Sequence, residues 1–276
     1  MLKQILIRVL VFALTYALSA GAILAGETVT IGCTIACSGP YGEALRKLSK
    51  ALKIPLEVID LSKNRALDLA KLDGIVIPGG VDIDPKYYLS EVEEDLRAHT
   101  RRLDHLVNYS NSGKKRDPFE FKLLKSYFND QRLRDLPVLG VCRGMQMLAV
   151  SQGIPLYVDI NKELELPNRR NLHDKIHLGD EESLMKQLFP AMSFLGFKQH
   201  HQGIRVDYYL KHESRWPEVR VTAFSNQKLI AESLEFTNRP VLGIQFHPEK
   251  DFTVSGQKIF GWLLQKSALR NRGRRP

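Results

Sequence analysis

The chain has 276 residues, 43% of them hydrophobic and 26% charged, a balance that suits one globular domain with a sizeable core and leaves two full domains cramped. Its formal charge is +9, yet the Lys and Arg residues are scattered apart from a terminal run of Arg270, Arg272, Arg274 and Arg275. No RNA- or DNA-binding motif accompanies them, so nucleic acid is not an expected partner, and residues 271–276 read as a solvated basic tail.

The N-terminus carries a signal of its own. Lys3 and Arg8 precede an uncharged run from Val9 to Gly26, closed by Glu27. A basic start, an apolar stretch and small residues near its end (Ala20, Gly21, Ala22, Ala25, Gly26) describe a secretory signal. At 18 residues the run also reaches the lower limit for spanning a bilayer. Residues 1–26 are therefore expected to be a signal peptide or an N-terminal membrane anchor. The protein is then exported (periplasmic or secreted) or attached to a membrane through this segment.

After the leader, strands and helices alternate. Thr28–Ile35 is rich in β-branched residues and reads as a strand running into a loop. It carries Cys33, followed by Cys37; extended, the two would be about 13 Å apart, too far for a disulfide unless a turn brings them together. Cys33 reads as core packing. Tyr41–Lys53 has Leu45, Leu48 and Leu52 at helical spacing. Pro55–Asp60 reads as a strand, Asn64–Lys71 as a helix, and Asp73–Ile77 as a short buried strand ending in Pro78-Gly79-Gly80. Glu91–Val107 and Asp117–Arg134 read as helices separated by a polar loop, Asn108–Arg116, with Asp117 and Glu120 as acidic helix-start residues. Pro137–Val141 is a strand leading straight into a helix near Arg143. Strands follow at Val219–Phe224, Leu229–Glu235 and Val241–Phe246, and an amphipathic helix from Thr253 to Leu269 closes the domain.

Short apolar strands alternating with helices imply an α/β fold with a mostly parallel central sheet flanked by helices. Sites in such folds lie outside the carboxyl ends of the strands. There the sequence places Gly140-Val141-Cys142-Arg143-Gly144, a cysteine version of the nucleophile elbow between strand and helix. The helix that follows points its positive end at the sulfur and favours thiolate. The N–H of Arg143 is placed to donate to an oxyanion. Further on, His247 ends a strand with Glu249 two residues later, on the same side of an extended chain. Pro248 between them limits how the carboxylate can turn away. His247 can take the thiol proton, and Glu249 can fix its tautomer and charge. The glycine pair after Asp73–Ile77 lets backbone N–H groups approach a ligand and supplies the other half of an oxyanion hole.

Together, DGIVIPGGVDIDPKYY, RDPFE, PVLGVCRGMQMLA, HHQ and GIQFHPE resemble class I glutamine amidotransferases, whose fold is flavodoxin-like. They are most similar to the stand-alone gamma-glutamyl-gamma-aminobutyrate hydrolase and gamma-glutamyl hydrolase branch. The likeness runs from about Thr28 to Trp262, within one hydrolase domain at residues 27–270. It implies cofactor-free hydrolysis of a small-molecule gamma-glutamyl amide through a cysteine thioester. Cys142 matches the nucleophile, His247 the base, Glu249 its partner, and Gly80 and Arg143 the oxyanion donors. Gln146 matches a glutamine that holds the glutamyl end, and His200 a histidine lining the substrate cleft. The chain departs from the branch at Phe197 and Lys198, where Asn and Ser are common, and at Ser225–Lys228, where an Asp-Gly turn is common.

A metal is not expected. His173 and His177 lie in a strand-like NLHDKIHL with no Glu beside His173, and His200 and His201 are merely adjacent. Two other readings stay open: the glutaminase subunit of an amidotransferase, and a relative that binds ligand without turnover. Nothing in the pattern sets an oligomeric state.

Overall fold

A computed structural model describes residues 27–35, 38–167, 172–250 and 254–274. The expected leader at residues 1–26 lies outside them, as do Cys37 and Arg275. The strands are β1 (Val29–Cys33), β2 (Leu56–Asp60), β3 (Gly74–Ile77), β4 (Val138–Val141), β5 (Leu156–Tyr157), β6 (Leu172–Leu178), β7 (Ser193–Lys198), β8 (Gly203–Ile204), β9 (Val219–Ser225), β10 (Ile230–Phe236) and β11 (Val241–Ile244). The longer helices are α1 (Pro40–Leu52), α2 (Glu94–Arg102), α3 (Asn111–Asn129), α4 (Arg143–Ser151) and α5 (Val254–Gly273).

Among the described residues, nine strands form one sheet in the order β2-β1-β3-β4-β11-β10-β9-β6-β7, and β5 pairs with β8 apart from it. From β2 to β11 every pairing is parallel. From β11 to β7 every pairing is antiparallel. The division follows burial. Strands β3, β4 and β11 are buried at each residue, as a strand covered on both faces must be. Strand β6 alternates exposed and buried residues over most of its length, so one of its faces meets water. The two-residue period splits the apolar side chains into two cores. Ile75, Ile77 and Val138 pack with Leu124 of α3 and Leu148 of α4 on one face. Val76, Leu139 and Val141 pack with Leu45 of α1 and Leu263 of α5 on the other, where Cys33 is also buried.

Several boundaries differ from the expected ones, each for a local reason. Asn64–Lys71 is not a helix: it is a series of turns ending in one 3-10 turn at Leu69–Lys71, capped by the Asp68 carboxylate. The α-helix in Glu91–Val107 is confined to Glu94–Arg102, with a 3-10 turn on either side. Helix α3 begins six residues before Asp117, absorbing most of the predicted loop, because the Ser110 hydroxyl accepts the Gly113 N–H at 3.0 Å. Pro118 consequently sits inside that helix. The turn between β9 and β10 forms without Asp-Gly: Asn226, Gln227 and Lys228 all take left-handed backbone, at φ 48°, 57° and 70°.

The C-terminal arginines are not all solvated. Helix α5 runs on to Gly273, and Arg270, 7% exposed, donates to the Leu72 carbonyl at 3.2 Å and pairs with Asp135. Arg274 donates to the Ala70 carbonyl at 2.5 Å and pairs with Asp73. These contacts clamp the last helix to the chain entering β3.

The tightest packing is where β4 meets α4. A Cβ placed on Gly144 would stand 1.9 Å from the carbonyl oxygen of Ile77, and one on Gly140 would stand 2.7 Å from the backbone of Gly144. Both obstacles include backbone, which cannot swing aside. Gly144→Ala is therefore expected to destabilise the protein by about 3 kcal/mol. Urea unfolding of the variant against wild type measures this; an unchanged midpoint would contradict the packing.

Candidate active site

Cys142 joins β4 to α4 in a conformation that L-residues rarely adopt, φ 51° and ψ −108°. The turn is held by its own N–H, which donates to the Ile244 carbonyl of β11 at 2.7 Å. Cys142 is 3% exposed and lies at the N-terminal end of the nine-residue α4, where the helix dipole favours negative charge. Arg143 is the first residue of that helix, and its N–H has no hydrogen-bond partner among the described residues.

The imidazole comes from the neighbouring strand. Beyond β11 the chain stays extended: Gln245 N–H donates to the Glu232 carbonyl at 3.0 Å and His247 N–H to the Phe197 carbonyl at 2.9 Å. Nδ1 of His247 lies 2.7 Å from Oε1 of Glu249, both side chains being almost fully buried. That contact places the proton on Nδ1 and turns Nε2 to the site. Nε2 has no partner within normal hydrogen-bond geometry. Burial pulls the imidazole pKa down, but the nearby Cys142 sulfur and the Glu249 carboxylate outweigh it and raise it to about 10. A Cβ built on Gly79 would stand 3.1 Å from Cε1 of His247 and 3.5 Å from Cβ of Cys142. The thiol, the imidazole and the glycine loop after β3 thus border one point.

The glycine loop is gripped from behind. Arg116 of α3 donates through Nη2 to the Pro78 carbonyl at 2.5 Å and through Nη1 to the Gly79 carbonyl at 2.7 Å. The Gly79 N–H donates to the Tyr41 hydroxyl at 2.9 Å. The Gly80 N–H has no partner among the described residues. Behind Arg116 stands a buried group of four charges. Arg116 Nε donates to Glu120 at 2.7 Å, and the Arg143 guanidinium bridges Glu120 and Asp117. Thr34 adds a hydroxyl to Glu120, and the Asp84 N–H donates to Asp117 at 3.1 Å. Asp117 and Glu120 are therefore not helix-start residues. They lie within α3, 3% and 0% exposed, because two arginines neutralise them there.

The residues matched to substrate contacts are placed nearby. Gln146 sits one turn into α4, and its amide nitrogen already donates to the Gln202 carbonyl at 2.8 Å and to Oε1 of Gln245 at 3.2 Å. His200 shares that Gln202 carbonyl, through Nδ1 at 2.9 Å, leaving Nε2 buried without a partner. Burial foremost, then the charge of Lys198, lowers its pKa to about 3, so it is neutral and Nε2 is an acceptor. Lys198, at one of the departures from the branch, is buried and lies 3.3 Å from the buried Asp174. Glu232 lies close by, pushed up to about 7 by burial. His201 stands apart from His200, between Asp82 at 2.8 Å and Asp159 at 3.3 Å. His173 and His177 are on β6, and no group of three or more His, Cys, Asp or Glu side chains among the described residues is placed to hold a metal.

Sequence reasoning missed Tyr41, Arg116 and the Lys198–Asp174 pair. A signal existed for Arg116: it stands four residues before Glu120, the spacing of a helical ion pair.

The Peptidase C26 family model matches residues 43–249. Protein NtpR of Enterococcus hirae is 27% identical over 221 residues, covering 75% of this chain and 80% of its own. The glutamine amidotransferase-like protein YvdE of Lactococcus lactis is 27% identical over 197 residues, covering 69% and 72%. A glutamine amidotransferase structure from Thermotoga maritima superposes with a TM-score of 0.51 at 15% identity, covering 89% of this chain and 96% of that one, a likeness of fold alone. With three quarters of its length matched, the chain belongs to the Peptidase C26 family and is class I glutamine amidotransferase-like.

Proposed function

We propose that this protein is a stand-alone cysteine hydrolase that cleaves gamma-glutamyl amides through a thioester on Cys142. The observation that carries the reading is a thiol on a strained elbow and an imidazole fixed by a carboxylate, both bordering the Gly79–Gly80 loop.

In this reading His247 holds the thiol proton as imidazolium, and the Cys142 thiolate attacks the gamma-carbonyl carbon. The C=O π electrons move onto oxygen, where the Gly80 and Arg143 N–H groups receive the charge. The tetrahedral intermediate collapses, the C–N bond breaks, and His247 gives its proton to the departing amine. A thioester is left. Water then loses a proton to neutral His247 and attacks the thioester; the C–S bond breaks, releasing the glutamyl acid and restoring the thiolate–imidazolium pair. Glu249 keeps the proton on Nδ1 throughout.

Export is proposed on the leader pattern at residues 1–26, with membrane attachment as the alternative. No helix among the described residues is long and apolar enough to cross a membrane.

Two outcomes test the chemistry. Cys142→Ala is expected to lower amine release from a panel of gamma-glutamyl amides by at least about 10⁴-fold, read by coupled glutamate detection; activity retained at the wild-type level would exclude the thioester route. The second concerns pH. His247 must be protonated to serve the leaving amine, so kcat/KM should hold toward alkaline pH and fall as His247 deprotonates near 10. The Glu249 carboxylate is one of the groups raising that pKa, so Glu249→Gln should move the alkaline limb to lower pH. A limb that stays in place would separate Glu249 from the histidine's titration.

A further inference from the structure

We infer that Arg116 is a positioning residue that fixes the Gly79–Gly80 peptide so that the Gly80 N–H presents to the reacting oxygen. The inference rests on the thiol-hydrolase reading above. It starts from the planarity of the peptide: in a trans unit the C=O of one residue and the N–H of the next point in opposite directions. Arg116 spreads its two Nη groups over consecutive carbonyls, Pro78 at 2.5 Å and Gly79 at 2.7 Å. Both carbonyls are therefore drawn to the α3 side, and both N–H groups face away from it. The Gly79 N–H reaches the Tyr41 hydroxyl at 2.9 Å, consistent with that direction, while the Gly80 N–H has no partner among the described residues.

The loop needs such a hold. Two successive glycines have no Cβ to restrict rotation of the peptide between them. Rotated by half a turn, that peptide would present the Gly79 carbonyl oxygen to a developing oxyanion, replacing attraction with repulsion. A planar guanidinium suits the task, because its fork fixes two carbonyls at once where an ammonium offers a single point. Arg116 is itself immobilised: it is 7% exposed, its Nε is held by Glu120 at 2.7 Å, and a Cβ on Gly80 would come within 2.5 Å of Nη1. A loop locked in this way needs no partner chain to set it, which fits a free-standing enzyme.

Arg116 also balances charge in its buried group, so the test must separate structure from orientation. Arg116→Met combined with Glu120→Gln removes one cation and one anion and leaves Arg143 paired with Asp117. Arg116→Lys retains the charge with one ammonium. For each variant, kcat and KM would be measured on the best gamma-glutamyl amide of the panel. Alkylation of Cys142 by iodoacetamide would be followed against pH, and folding checked by circular dichroism melting. Alkylation displaces iodide and builds no oxyanion, so it reads the thiolate–imidazolium pair alone. The expected result for the double variant is a kcat lower by about 10- to 100-fold with KM nearly unchanged, in proportion to a misdirected oxyanion donor. Its alkylation rate and pH midpoint should match wild type, and Arg116→Lys should recover part of the loss. An unchanged kcat in the folded double variant, or alkylation that falls in parallel with kcat, would overturn the inference. Wild-type turnover by Cys142→Ala would instead remove the hydrolase reading itself, and absence of turnover by wild type on every amide would remove both.

Discussion

Cys142 holds a backbone conformation, φ 51° and ψ −108°, of a kind that costs on the order of 1–3 kcal/mol. Three contacts keep it there: its N–H on the Ile244 carbonyl, and the two glycines that let α4 start hard against β4 and under the end of β3. Because β3, β4 and β11 are consecutive in the sheet, the same contacts bring three chain segments to one edge. Neighbouring strands are spaced by about 4.8 Å, so their ends can share a single small site. The strain places the sulfur above the sheet, beside the helix dipole, and everything else at the site is arranged around that position.

The charges around this point are sorted by burial. On the α3 side, two arginines and two carboxylates balance one another, with Arg116, Arg143 and Glu120 almost wholly out of water. Losing one member would leave a buried charge unpaired, a far larger penalty than the net value of the pair. The group has a directional consequence as well, since one of its arginines reaches the carbonyls of the glycine loop. On the β6–β7 side, Lys198 and Asp174 form a second buried pair, with Glu232 in electrostatic reach of it and of His247. Where the resembling branch commonly has Ser, this chain carries a cation and an acid to meet it. The neutral imidazole of His200 is in electrostatic reach of both Lys198 and His247, its acceptor nitrogen unfilled.

The chain alone determined the strands β1 to β4 and β9 to β11, because short β-branched and apolar runs bounded by Gly, Pro and polar residues are local patterns. It also determined the elbow and the His-Pro-Glu pair, since each needs only a few adjacent residues. Where the local pattern was ambiguous, the reading failed. The polar stretch before Asp117 looks like a loop until Ser110 caps it, and Asn64–Lys71 has helical composition yet packs Leu67, Leu69 and Ala70 on the core from a series of turns. The terminal arginines read as solvated because their carbonyl and carboxylate partners lie far back in the chain, at Leu72, Asp73 and Asp135.

Only the tertiary structure decided what the RDPFE residues and Tyr41 contact. In sequence Arg116 reads as the end of a polar loop and Asp117 and Glu120 as a helix start; their buried contacts come from Arg143 and from the carbonyls of Pro78 and Gly79. Whether an acidic residue sits at a helix start or pairs with a buried arginine depends on what packs against its helix, here α4 on the same face of the sheet. Periodicity records which face of an element is buried. It carries no information about which distant polar group is buried opposite.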